Sequence, residues 1–381
     1  MFAHFVGHAG KSAIAPNQSL HRYYLCTMSS TSPLDVEDLR VRVRKHLDDF
    51  IAIQIPRLDG VGEDLDVFTE ALTDLMNGGK RLRPAFCYWG WRAAGGPDTE
   101  NAVKAATALE LLQACALVHD DVMDGSDTRR GLPAAHRRFA ALHRGNEWLG
   151  SPEDFGLGAA ILLGDLCLSW ADELLMSSGL PVDRLMAAKP LYDEMRTELM
   201  AGQYLDLLEQ ARGGGSIERA ERVIRFKSAK YTIERPLHLG VLLAGGSPEL
   251  LTTFTNYGLP LGEAFQLRDD VLGVFGDPSE TGKPAGDDLR EGKRTVLIAK
   301  ALETASPSQA SKVRRHLGDP HLDAEGVALL REILTETGAL DAVEARISEL
   351  TANAQAAIVD VTNPARDVLS DLITAATARA V

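Results

Sequence analysis

The chain has 381 residues, 45% of them hydrophobic and 25% charged, with a formal net charge of −14. An acid excess of that size disfavours a nucleic-acid partner, and it requires any anionic ligand to be met by a local cluster of Lys and Arg. Length alone would divide the chain into two or three domains, but the Gly-rich breaks at 212–216 and 245–248 are short enough to be helix connections, so one large domain over 34–381 is expected.

Residues 1–33 are low in acid, with His, Ser and Tyr scattered among short apolar pieces, and they lack the continuous apolar run of a signal peptide. They read as a disordered leader, and Met28, just before the first strong helix, is a candidate start. Cys26, Cys87, Cys115 and Cys167 form no Cys-x-x-Cys pair and no metal spacing, which fits thiols used as small core residues in a reducing cytoplasm. No run of 18 uninterrupted apolar residues occurs, so no membrane span is expected.

From Asp35 onward apolar residues recur at helical spacing, punctuated by Gly and Pro, with no sustained alternation of period two. The pattern predicts an all-α bundle. Helices are expected at roughly 35–55, 65–76, 81–94, 98–124, 134–146, 156–178, 182–210, 216–231, 233–244, 248–275, 293–303, 307–317, 323–337, 339–358 and 364–379. Several are apolar nearly all round, which places them in the middle of the bundle.

The first charged signal in chain order is Gly78-Gly-Lys-Arg-Leu-Arg-Pro84, just before an apolar helix. Its glycines let the backbone approach an anion, and Lys80 and Arg83 stand near a helix N-terminus, where N–H groups and the dipole already favour phosphate. A basic turn in solvent is the ordinary alternative, but three cations so crowded in an acidic protein weigh against it. Next, the helix expected at 98–124 ends in Asp120-Asp-Val-Met-Asp124, followed by Arg129-Arg130-Gly131. Residues four apart lie one above the other, so Asp120 and Asp124 share a face. Taken singly, an Asp-Asp-x-x-Asp ends a helix in a solvated turn. Acid at a helix C-terminus opposes the macrodipole, however, and is relieved by a cation. One or two carboxylates completed by phosphate oxygens and waters are how Mg²⁺ is held, so the stretch reads as a Mg²⁺-diphosphate site.

The segment Gln266-Leu-Arg-Asp-Asp-Val-Leu-Gly273 echoes Leu117–Asp124, so two acidic helix ends could face each other across one cavity. Lys227-Ser228 and the Gly-rich stretch from Gly276 to Lys293, with Lys283 inside it, complete the charged motifs. That stretch reads as a flexible lid over charged ligands rather than packed core.

Together these motifs resemble the trans-isoprenyl diphosphate synthases, over essentially everything from Asp35 to the C-terminus. The resemblance implies the isoprenoid synthase type of helical bundle around a central cavity. It also implies a homodimer and a Mg²⁺-dependent head-to-tail condensation of isopentenyl diphosphate with an allylic diphosphate. Asp120, Asp124 and Asp269 then stand where the family has its Mg²⁺ ligands. Arg129, Lys227, Gln266 and Lys283 stand where it contacts the allylic diphosphate, with Ser228 where a Thr is usual, and Lys293 is a further substrate-binding candidate. Lys80, Arg83, Gln113 and Arg130 stand where it cradles isopentenyl diphosphate. Lys227, Gln266 and Arg129 are accordingly the candidate catalytic residues.

One departure is Gly273, where the family pattern has a third Asp. Family members that stop at farnesyl often carry bulky aromatics four or five residues before the first motif. Here those positions are Ala116 and Cys115, with Leu112 eight residues back, so geranylgeranyl diphosphate is the expected product and farnesyl or longer chains are the alternatives. A class I terpene cyclase would not need the Lys80–Arg83 cradle, and a non-catalytic prenyltransferase subunit should have lost more of the charged ligands.

Overall fold

The computed structural model describes residues 32–277 and 286–377, so the expected leader, apart from Ser32 and Pro33, lies outside the described residues, as does Lys283. A short 3₁₀ turn, Pro33–Asp38, leads into α1 (Leu39–Asp59), α2 (Asp66–Met76), α3 (Leu82–Ala93) and α4 (Glu100–Met123). A two-residue hairpin, β1 (Thr128–Arg129) and β2 (Leu132–Pro133), pairs antiparallel after α4. There follow α5 (Ala135–Gly145), α6 (Pro152–Met176), α7 (Val182–Arg212) and α8 (Ile217–Val223). A π-helical stretch, Ile224–Glu234, runs directly into α9 (Arg235–Ala244). The chain ends with α10 (Pro248–Phe275), α11 (Asp287–Glu291), α12 (Val296–Thr304), α13 (Pro307–His316), α14 (Ala324–Glu336), α15 (Ala339–Ala357) and α16 (Ala365–Thr377).

Local chemistry sets many of the starts. The side chains of Thr99, Ser151, Ser247 and Asp323 each accept from a backbone N–H three residues on, and Pro152 and Pro248 occupy first-turn positions where no N–H is needed. The cores follow the apolar stripes. One is built around buried Val103, Leu109, Leu163, Leu174, Leu237 and Tyr257, and a second packs α12, α14 and α15 against the far side of α10 through Leu267, Val271, Leu297, Leu334 and Val343.

One expected helix boundary changes. The break expected near Thr232 is absent, because the chain widens into a π helix instead. The Arg235 N–H bonds to the Lys230 carbonyl five residues back, and Pro236, which has no N–H to offer, follows without interrupting the turn. This wide stretch is seated by two glycines. A Cβ on Gly202 of α7 would lie 2.5 Å from the Lys227 nitrogen, and one on Gly262 of α10 would lie 2.5 Å from the Ala229 Cα, so only glycine permits either approach. By length and composition α4 is long and apolar enough to cross a membrane. It is a core helix of the bundle, since 72% of its most apolar window is buried.

Candidate active site

The C-terminal end of α4 carries Asp120 and, as its C-cap, Asp124, whose N–H bonds to the Asp120 carbonyl at 2.8 Å. Asp120 Oδ1 accepts from Lys227 Nζ at 3.1 Å and from Gln203 Nε2 at 3.1 Å, and Lys227 also reaches Asp206 Oδ2 at 2.7 Å. Burial alone would raise the Asp120 pKa, but Lys227, Lys293 and Arg129 outweigh it and hold the carboxyl below its usual value. Asp124 goes the other way. Burial and the neighbouring Asp120 push it up to about 7, and its buried Oδ1 has no hydrogen-bond partner. Two carboxylates at one helix end, one short of donors, are what a bound cation would relieve.

The adjacent arginines part company after the hairpin's first strand. Arg129 donates from Nε to Asp121 Oδ1 at 2.9 Å, pairs with it through Nη2 as well, and lies 3.6 Å from Asp120 Oδ2. Arg130 has a left-handed backbone (φ 54°) that turns its side chain away, to donate to the Leu75 carbonyl at 3.1 Å and to lie on Gly79. A Cβ on Gly79 would come within 2.7 Å of Arg130 Nη2, so the double glycine makes room for the guanidinium as well as for backbone approach. Burial and the nearby Arg81, Arg129 and Arg83 lower the Arg130 pKa, the mark of cations gathered without enough acid. Arg81 is taken up by buried Glu110 and is structural. Arg83 donates to Thr232 Oγ1 at 2.7 Å and stacks 4.2 Å from the Tyr231 ring centroid, leaving its buried Nε unpartnered. Gln113, seven residues before Asp120 on α4, likewise has a buried Oε1 without a donor. Lys80 is exposed at the same turn.

Across from α4, the end of α10 presents exposed Asp269 and buried Asp270, whose Oδ1 accepts from Gln266 Nε2 at 2.8 Å. Burial raises the Asp270 pKa well above the usual carboxylate range, with Asp288 and Asp269 adding to the rise. Lys293 Nζ donates to Asp288 Oδ1 at 3.1 Å and forms an ion pair with Glu291 Oε2 at 2.8 Å. Burial opposes its charge, but Asp288, Glu291 and Asp124 keep it protonated. Its charge also acts on Asp120, so the two acidic ends meet through Lys293. A cavity of about 70 Å³ beside them is lined by Lys227, Ser228, Gln266, Lys293 and Arg294 among others.

The structure therefore gathers Asp120, Asp124, Arg129, Lys227, Ser228, Gln266 and Lys293 at one locus, and Lys80, Arg83, Gln113 and Arg130 around the start of α3 and the facing side of α4. Of the expected lid, 286–293 is corrected. Asp288 and Leu289 of α11 are buried, with Leu289 seated in the second core, because a short helix satisfies its backbone there. Among the chain-length positions, Ala116 is half-buried on the Asp120 face. Cys115 instead faces α6 through His119, with its Sγ 3.7 Å from His119 Nδ1 and His119 Nε2 3.1 Å from the Ile161 carbonyl of α6, and Leu112 is fully buried. The sequence marks Gly202–Asp206 and the stretch ending at Arg294 as motifs but assigns no role to Gln203, which reads as an ordinary helix residue, or to Asp206, Asp288 and Arg294, whose Nε and Nη1 are buried without acceptors. Only burial and partners, not spacing, mark those four. Among the described residues no three His, Cys, Asp or Glu side chains converge as a complete cation cage, so a cation here would draw further oxygens from a ligand.

A model of the polyprenyl synthetase family matches residues 65–334. A geranylfarnesyl diphosphate synthase of Aeropyrum pernix is 31% identical over 305 residues, covering 78% of this chain and 86% of that protein. A geranylgeranyl diphosphate synthase of Saccharolobus solfataricus is 34% identical over 259 residues, covering 68% and 73%. The solved geranylgeranyl pyrophosphate synthase of Corynebacterium glutamicum, complexed with isoprenyl diphosphate and magnesium, superposes with a TM-score of 0.86 at 44% identity, covering 90% of this chain and 98% of that one. With the match to the family model spanning well over half its length, and with the two acidic helix ends facing a cationic cradle, this chain belongs to the polyprenyl synthetase family.

Proposed function

We propose that this enzyme condenses isopentenyl diphosphate with an allylic diphosphate to give geranylgeranyl diphosphate. The observation that carries the site assignment is the Asp120–Asp124 pair, one carboxylate held by Lys227 and the other with a buried oxygen left unpartnered. That donor set, all hard oxygen, suits Mg²⁺, and Asp120, Asp124 and Asp269 are the residues that would hold it. When bound, the ion neutralises charge that grows on the departing diphosphate.

The remaining work falls to the chain's own residues. Lys227, Arg129 and Lys293 are fixed cations beside the leaving diphosphate, with Ser228 and Gln266 as hydrogen-bond donors, and they favour the developing anion at little reorganisation cost. The allylic C–O bond breaks with its electron pair on the diphosphate, leaving an allylic cation that the double bond of isopentenyl diphosphate attacks. A proton is then lost to the retained pyrophosphate. Lys80, Arg83, Gln113 and Arg130 hold isopentenyl diphosphate so that its double bond is aimed at the cation. Buried walls exclude the water that would quench it.

Small, half-buried Ala116 leaves the first turn below Asp120 open, which supports a product longer than fifteen carbons. The Aeropyrum relative's product makes geranylfarnesyl diphosphate the second reading. Incubation with isopentenyl diphosphate, farnesyl diphosphate and Mg²⁺, followed by chromatography of the dephosphorylated product, should give a twenty-carbon alcohol. A twenty-five-carbon alcohol selects the second reading, and no elongated alcohol overturns both. The apolar patch of Trp148, Leu149, Phe155, Ile161 and Leu162, with Leu149 99% exposed, suits a second copy of the chain. Sedimentation at the mass of a single chain would overturn the homodimer. Cys87, Cys115 and Cys167 are unpaired and buried, which supports a reducing, cytoplasmic setting; finding them disulfide-bonded in protein from its native source would refute it.

A further inference from the structure

In α4 the acidic pair is spaced i and i+4, Asp120 over Asp124, whereas in α10 the residue four beyond Asp269 is Gly273 and has no side chain. The space does not stand empty. An ideal Cβ built on Gly273 would collide with Oδ2 and Cγ of Asp288 and lie 3.1 Å from its Oδ1. Asp288 thus lays its carboxylate directly on the α10 backbone, where a side chain at 273 would begin. Its placement is rigid. Leu289, the next residue, is 1% exposed in the second core and its carbonyl accepts from Gly318 N–H at 2.8 Å, while the Asp288 carbonyl accepts from Lys293 N–H at 3.1 Å. The two carboxylate oxygens have separate surroundings, since Oδ1 serves Lys293 Nζ and Oδ2 rests over Gly273, on the side of Asp269 and Asp270.

We infer that Asp288 supplies the third carboxylate of the second acidic helix end, and that Gly273 is the seat that admits it. The carboxylate at this position comes from the following short helix rather than from α10. It positions the cation held by Asp269, and the inference rests on the proposed reading of that helix end as a Mg²⁺ site. A consequence runs against consensus reasoning: restoring Asp at 273 sets two carboxylates against each other in one space and harms the protein, unless Asp288 is removed with it.

The test is Mn²⁺ affinity, read by electron paramagnetic resonance in the presence of inorganic pyrophosphate, with thermal melting to confirm that each variant is folded at the assay temperature. Asp288→Asn keeps the shape and removes the charge, and Gly273→Ala displaces the carboxylate without replacing it. Both should weaken Mn²⁺ binding by about 10- to 100-fold, the range for ligand-positioning groups. Gly273→Asp should lower the melting temperature, and Gly273→Asp combined with Asp288→Gly should return Mn²⁺ affinity to about the wild-type level. Wild-type affinity in Asp288→Asn or Gly273→Ala overturns the inference, because a carboxylate serving only as counter-ion to Lys293 would affect melting and not Mn²⁺. A paired variant no better than the singles overturns it as well. Wild type that binds no Mn²⁺ with pyrophosphate removes the Mg²⁺ reading itself, and this inference with it.

Discussion

Replacing Ala116 by Phe should shorten the product by one isoprene unit. Ala116 lies four residues before Asp120 on α4, one turn down the same face, and a turn rises about 5.4 Å, roughly the length of one such unit. An aromatic ring there closes the first open turn beneath the acidic pair, so growth should stop at fifteen carbons. The variant should convert geranyl diphosphate to farnesyl diphosphate and elongate farnesyl diphosphate poorly, as read by chromatography of the dephosphorylated products. Because Ala116 is half-buried at the edge of the core, a ring there should cost less stability than one at a fully buried position. Cys115→Phe is the contrast. That side chain is 5% exposed and packed towards α6 beside His119, so a ring overpacks the helix crossing and should cost about 1–3 kcal/mol, seen as a fall in melting temperature. An Ala116→Phe enzyme that still makes the wild-type product at the wild-type rate would refute a channel along this face. Shortening by Cys115→Phe without loss of stability would move the channel to the other side of α4.

Asp120→Ala should lower turnover by orders of magnitude at saturating Mg²⁺ with little loss of stability, since Lys227 keeps its 2.7 Å partner Asp206; near-normal turnover would sink the metal assignment. Arg83→Ala removes a charged hydrogen-bond donor worth about 1.5–3 kcal/mol, so kcat/KM for isopentenyl diphosphate should fall roughly 10- to 100-fold with the allylic KM nearly unchanged. Equal effects on both substrates would mean the two sites are misplaced. Acid should destabilise the fold through His238, which is buried, bonded through Nε2 to the Leu251 carbonyl at 2.9 Å, and brought down to about 4 by burial and by Arg235. A lowered folded-state value means that the unfolded chain takes up the proton first. The His238 contribution, roughly 3 kcal/mol, is then present above about pH 6.5 and lost as pH falls towards 4. Urea unfolding at pH 7.5 and 4.5 should show a smaller acid loss in His238→Gln than in wild type, and equal losses would refute the assignment.

The sequence by itself determined whatever depends on neighbours a few residues apart. Helical period put Asp120 and Asp124 on one face, Gly and Pro between apolar runs marked the breaks between helices, and the paired glycines before Lys80 marked a close approach that Arg130 turns out to occupy. Each is a local consequence of backbone geometry and survives any arrangement of the helices around it. What the tertiary structure decided is which faces meet. Lys227 reaches Asp120 from 107 residues away and Gln203 from 83, and neither spacing has a signature. The same holds for Cys115, whose small size is equally compatible with lining a channel and with packing against α6, and only the position of α6 chooses between them. Taken by itself, α10 lacks a carboxylate at Gly273. A carboxylate lies there all the same, brought by Asp288 of α11, since a charge is located by where the fold sets it down and not by its place in the chain.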